Sequence, residues 1–279
     1  MTSLRQFTRL DPLRVMGEGW ETLTLLNPEF SQGVMAGQFF SAARYLTRMP
    51  ASAQEIRPLP DGASVWFPAV GLAFGVGIGL VVRAAVVIDI WFAALLGLIT
   101  WTVLTRARPL AGLAAYASET AARAGAEEGE PKPAAIGLHV ATIAVALLLI
   151  TQLILLMLLT VRMDNTEWVT LALLLGWARL APMVWVNTAA RTREGDAALL
   201  WPADRSMTAR WALALFVASL LWDYSLLAAP LAILLWQFWL RRSREGFTIP
   251  GVLAGIAVVE GATLAMVIVR GMLSPFGME

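Results

Sequence analysis

Apolar runs longer than a soluble core helix alternate along this chain with short polar segments. Across residues 64–105 only Arg83 and Asp89 carry charge, and both sit at the middle of the run. As helix that run is about 63 Å long, roughly twice the hydrocarbon thickness of a bilayer. It predicts two crossing helices joined by a tight turn near Arg83 and Asp89. Further apolar stretches cover residues 136–161, 168–186, 211–240 and 252–269. The stretch 211–240 is long for one crossing and short for two. Asp223 and Tyr224 interrupt it and Pro230 follows, which predicts a hairpin of two short helices turning at Asp223. The expected fold is an all-α polytopic bundle of seven spans, or six if that segment is one tilted helix. Residues 33–49, apolar with Arg44 and Arg48 near the end and Pro50 behind, read as a helix at the membrane interface.

Basic residues orient this layout. With a cytoplasmic N-terminus, seven spans leave only Arg83, Arg162 and Arg270 outside and Arg179 within a span; the other 17 of the 21 Lys and Arg lie inside. The polar segments 1–63, 105–135, 187–210 and 241–250 share that side, so the working face is expected to be the cytoplasmic face of an inner (plasma) membrane. Composition agrees: 58% of residues are apolar, 15% are charged, and mean hydropathy is +0.67. Trp66, Trp91, Trp101, Trp168 and Trp185 lie near expected span ends and read as interfacial belts. The absence of cysteine excludes disulfides, thiolate metal sites and cysteine nucleophiles. One histidine, His139, excludes a multi-histidine metal centre within the chain. A net charge of +1 gives no case for nucleic acid. The first 30 residues mix Arg and acidic residues without a long apolar run, so no cleavable leader is expected.

Two charges lie deep in expected spans, Arg179 and Glu260. Each costs roughly 2.5–3.5 kcal/mol at the bilayer centre, so each should face the protein interior. Counted from the cytoplasmic ends of their helices, their depths agree within roughly 3 Å, which predicts that they pair. Such a pair is either a packing salt bridge or a charge pair in a substrate cavity. Gly71, Gly75, Gly77 and Gly79 crowd the first span and predict close helix approach rather than a phosphate loop. His139 reads as an interfacial cap, and Asp89 and Asp223 as outer turn residues. The paired-aspartate pattern of the CDP-alcohol transferases is absent, and little supports a small-solute transporter.

Four short blocks follow one another: Tyr45-Leu46-Thr47-Arg48-Met49-Pro50; Trp66-Phe67-Pro68-Ala69-Val70-Gly71-Leu72; residues 190–195; and residues 241–254, with Arg241 and Arg242 ahead of Gly246, Thr248, Val252 and Leu253. In order and spacing they resemble the cobalamin synthase family, the adenosylcobinamide-GDP ribazoletransferases, whose blocks read FLTRLP, YFPLVGL, AR..EG and RR.LGG.TGDVLG. The resemblance covers residues 36–272, which implies an N-terminal extension over 1–35 and a single integral membrane domain over 36–279. It implies an enzyme joining adenosylcobinamide-GDP to α-ribazole or its phosphate with release of GMP, using Mg²⁺. Implied partners are those substrates and membrane lipid, with a homo-oligomer or other cobamide-assembly proteins beside them. Lys132 matches the lysine of the family's KDSRIG block and could hold a phosphate, or serve only as an inside positive charge. Arg191, Arg193 and Gly195 could contact the nucleotide, or anionic lipid. Arg179 and Glu260 complete the candidate substrate-binding set.

The chain departs from the family where the chemistry lies. The family holds its metal with the aspartates of HLDGLADTADG; here residues 109–119 carry Ala111, Ala115 and Ser118 at those positions. KDSRIG becomes residues 132–137, which keep Lys132, Ile136 and Gly137 but lose the acid and the arginine. The acid of TGD falls on Pro250 or Gly251. Alanine cannot ligate a cation, so no metal ligands and no catalytic residues are assigned. Glu119, Glu127, Glu128 and Glu130 are the only nearby acids, in what reads as a solvated loop, the alternative being a relocated Mg²⁺ site. Two functions follow: a Mg-dependent ribazoletransferase, or a catalytically silent relative acting as a membrane binding or assembly partner.

Overall fold

The structure, a computed structural model, describes residues 28–47, 62–127, 133–162, 166–189, 204–243 and 247–273. Among these there is no strand. The helices are α1 (Pro28–Thr47), α2 (Phe67–Val86), α3 (Ile90–Leu104), α4 (Arg108–Glu127), α5 (Pro133–Arg162), α6 (Glu167–Ala189), α7 (Arg205–Trp222), α8 (Ala228–Arg242) and α9 (Ile249–Leu273), with 3₁₀ turns at Ala63–Trp66 and Tyr224–Leu227. Among the described residues five stretches are long and apolar enough to cross a membrane: Ala63–Val86, Ala134–Val161, Glu167–Thr188, Tyr224–Arg242 and Ile249–Leu273. The helices α3 and α4, bent by 78° from each other, make a sixth if counted as one broken span.

The helix α6 is the axis of the bundle. Residues 170–183 are all buried, as expected of a helix apolar on every side. The helix α2 packs against it through glycine. A methyl group at Gly71, Gly75 or Gly79 would lie 2.2–2.3 Å from the α6 backbone, at Leu175 O, Leu171 O and Trp168 Cα respectively. Glycine at every fourth residue lets the two backbones touch. Gly77 is not part of that seam; its face is open.

The chain reverses twice on acidic caps. Asp89 accepts the Phe92 N–H at 3.0 Å and starts α3. Asp223 ends α7, accepts the Ser225 N–H at 2.8 Å and pairs with Arg270. Side-chain bonds fix how α7 and α8 run along α6. Asn187 donates to Thr208 Oγ1 (2.9 Å), Trp177 to Ser219 Oγ (2.9 Å) and Trp222 to Thr170 Oγ1 (3.2 Å), so α7 is antiparallel to α6. Trp185 then donates to the Ile233 carbonyl at 3.0 Å, which brings α8 back alongside the C-terminal end of α6. The expected hairpin at Asp223 is present. The starts of α2, α5, α7 and α9 and the ends of α6 and α8 thus gather at one end of the bundle, together with α4.

Two expectations are corrected. Trp101 and Trp185, read as interfacial, are 3% and 0% exposed and lie inside the bundle, whereas Trp91 (60%) and Trp168 (38%) do face outward. The segment read as a polar loop is largely the helix α4. Alanine supplies much of it, and alanine has the best helix propensity while scoring only weakly as apolar.

Candidate functional site

At the end of α3 the chain turns through two residues in the left-handed region, Arg106 (φ 48°) and Ala107 (φ 54°). The Ala107 N–H bonds back to the Thr102 carbonyl at 2.8 Å, which closes α3 and releases α4 across the end of the bundle. The buried face of α4 is Pro109, Gly112, Tyr116 and Gly125. Gly112 admits α9: a methyl there would sit 2.1 Å from Leu253 Cβ. One turn on, the Tyr116 hydroxyl accepts the Trp239 N–H at 2.9 Å, and its ring lies 5.7 Å from that of Trp236. Trp236 donates in turn to the Gly251 carbonyl at 3.0 Å. On its other side α4 meets the start of α5, where Gly137 lies against the Ser118 carbonyl and hydroxyl.

Three blocks separate in sequence therefore converge: residues 109–119 on α4, 133–137 on α5 and 248–254 at the start of α9. These are the segments on which the resemblance places the family's acids. Positions 111, 115 and 118 share one stripe of α4, at helical spacing. What they present is two methyls and a hydroxyl, while Tyr116 and Trp236 pack at the junction with α9 and the exposed Trp239 bonds the Tyr116 hydroxyl.

The Mg²⁺ the family implies needs hard oxygen ligands, carboxylates foremost. Among the described residues no three His, Asp or Glu side chains gather in a group that could hold a metal. The α4 stripe does not fit the ion. Glu119 and Glu127 are exposed on α4. Nearby, the His139 ring is exposed and Nδ1 bonds the Ala135 carbonyl of its own helix at 2.7 Å, which requires the proton on Nδ1.

The second polar centre is buried. Arg179 Nη2 approaches Glu260 Oε1 to 3.0 Å, with the side chains 4% and 2% exposed. The expected pair forms, between α6 and α9. It is a close charge contact without the alignment of a hydrogen bond, since Glu260 Oε1 accepts none of good geometry. The Trp101 indole lies within hydrogen-bonding reach of the Glu260 carboxylate. Gly71 leaves room for the stem of Arg179, as a methyl there would lie 2.8 Å from its Cγ. Lys132, Arg191, Arg193 and Gly195, like Glu128 and Glu130, lie outside the described residues.

Sequence reasoning missed the Tyr116–Trp236–Trp239 cluster and the Asp223–Arg270 pair. The first was signalled by Trp236 and Trp239, three apart on an apolar run and hence on one face. The second joins residues 47 apart, and no local pattern points to it.

The fold defines a polytopic all-α membrane protein whose polar helix α4 and inter-helix junction lie at one end. Comparison with known proteins supplies the family. The family model described as cobalamin-5-phosphate synthase matches residues 38–270. The adenosylcobinamide-GDP ribazoletransferase of Novosphingobium aromaticivorans is 32% identical over 246 residues, covering 84% of this chain and 97% of that relative. The protein of the same name from Thiobacillus denitrificans is 30% identical over 240 residues, covering 81% and 92%. This chain belongs to the cobalamin-5-phosphate synthase family. No solved structure matches it.

Proposed function

We propose that this chain acts at the ribazoletransferase step of cobamide assembly, binding adenosylcobinamide-GDP and α-ribazole or its phosphate at the α4 end. That end faces the cytoplasm in a seven-span, inner-membrane topology, with α3, α7 and α8 as short crossings. Family membership along nearly the whole domain supports the substrate class. Lys132, Arg191 and Arg193 supply cations for phosphoryl groups from segments that leave this same end.

The observation that carries the reading is the α4 stripe itself: the blocks of the family site meet, and their carboxylates are replaced by Ala111, Ala115 and Ser118. Loss of one well-placed electrostatic partner costs about 10²–10³ in rate, so transfer here runs at least that far below members that carry the aspartates. The same observation favours the second reading, a silent relative that binds the precursor without converting it. Purified protein given adenosylcobinamide-GDP, α-ribazole and Mg²⁺ separates these readings from an intact enzyme. GMP release is expected to be at least 10²-fold below that of an aspartate-bearing member, with nucleotide-linked precursor still bound. Robust turnover that Glu119→Gln or Glu127→Gln removes would mean that the carboxylates have moved. Failure to bind the precursor would remove the substrate assignment.

A further inference from the structure

The end of the bundle opposite α4 holds a cavity of about 720 Å³, between α8 and α9. Its walls include Leu231, Leu235, Met266 and Leu273, all exposed, on stretches apolar enough to lie in a bilayer. In a membrane such a groove fills with hydrocarbon, because water there would find few polar partners. One end of it is different. Arg270 lines it there, paired with Asp223 and lying 3.9 Å over the Tyr224 ring centroid. A guanidinium carries five donors, and Asp223 with the Tyr224 hydroxyl leaves some of them open. Ser225 lines the same end; it is 3% exposed and its Oγ has no hydrogen-bond partner. A buried hydroxyl lacking a partner is costly unless a ligand completes it.

Depth is consistent with a head group at that point. Arg270 lies ten residues beyond Glu260 on α9, about 15 Å along the helix. That is about half the hydrocarbon thickness of a bilayer, and Glu260 sits in the middle of the bundle. An apolar trough that ends, at interface depth, in the guanidinium donors Asp223 does not take and in an unsatisfied hydroxyl is complementary to an amphiphile with an anionic head.

We propose that this cavity binds one acyl chain of an anionic phospholipid from the leaflet at that end. Its phosphate would take the free donors of Arg270 and the Ser225 hydroxyl. The site is separate from the α4 junction, and its occupant is lipid rather than substrate.

The test is native mass spectrometry of the full chain in detergent, offered phosphatidylglycerol or phosphatidylcholine of matched chains. The wild type should retain one phosphatidylglycerol under activation that strips phosphatidylcholine, and halving the acyl length should weaken that retention. Ala228→Trp and Ala262→Trp fill the trough from opposite walls, and each should lower the retained adduct at least ten-fold. Arg270→Gln should keep a bound lipid and lose the head-group preference. Unfolding temperatures measured alongside show which variants are folded and can be compared. Equal retention of both lipids by the wild type overturns the proposal, as does retention independent of chain length. So does displacement of phosphatidylglycerol by millimolar inorganic phosphate, which would mean that the head group alone is held.

Discussion

Gly75 and Gly77 stand two residues apart on α2 and do opposite work. A methyl at Gly75 would come within 2.2 Å of the Leu171 carbonyl oxygen and 2.4 Å of Ala172 Cα, both backbone atoms that cannot step aside. Gly75→Ala should therefore force α2 from α6 and cost about 1–3 kcal/mol, as overpacking does. Gly77→Ala meets open space and should stabilise by up to about 1 kcal/mol, since glycine is the poorer helix former. Unfolding in mixed micelles would compare the two. The sequence showed a cluster of glycines; which three form the seam depends on the rotation of α2 about its axis, which only its neighbour sets. The Arg179–Glu260 pair was legible because an intramembrane charge needs a partner at its own depth. Arg179→Gln leaves the Glu260 carboxylate buried alone and should cost about 3–5 kcal/mol. Exchanging the charges, Arg179→Glu with Glu260→Arg, should recover part of that loss, and a double variant no more stable than either single change would deny the coupling.

Among elements, α4 was the least legible. Its alanines made residues 105–135 look like a polar connection, and its register became visible only against Leu253 and Trp239. The family blocks could be read in the sequence, but their convergence at the bend beyond Ala107 could not. Tyr116→Phe keeps the ring packing and removes the acceptor of the Trp239 N–H, which should cost about 1 kcal/mol. Replacing Ala111, Ala115 and Ser118 together by Asp would line three carboxylates along one stripe of this helix. The expected result is Mg²⁺-dependent GMP release from a chain that otherwise shows little, measured by metal titration of turnover. At the start of α7, the Ser206 N–H bonds to the Asp204 carboxyl and holds its pKa below the ordinary carboxylate value. The cap is therefore in place at all pH above that ordinary value and is lost as pH falls through the depressed one. Exchange of the Ser206 amide, corrected for its intrinsic pH dependence, should lose protection only in that acid range.

At the scale of the whole molecule, long apolar stretches announced an all-helical membrane protein, and charge bias suggested its orientation. Short helices such as α3 and α7 are harder, because α3 has only 15 residues and the 18 of α7 include Arg205 and Arg210, which leaves each with fewer than the ~20 apolar residues of a full span. The absence of cysteine makes the proposed topology testable with single replacements. Ile88→Cys should react with an impermeant maleimide on intact cells, whereas Ala124→Cys and Ser206→Cys should react only after permeabilisation. Any labelling of the last two in sealed cells would invert or break the scheme. The burial of α6 also bears on biogenesis. Its guanidinium emerges from the ribosome 81 residues before the carboxylate that neutralises it, an interval on the order of 4–16 s at ~5–20 residues per second. During that wait the nascent segment carries an unmatched cation in or beside the translocon. The pairing has to await the arrival of α9.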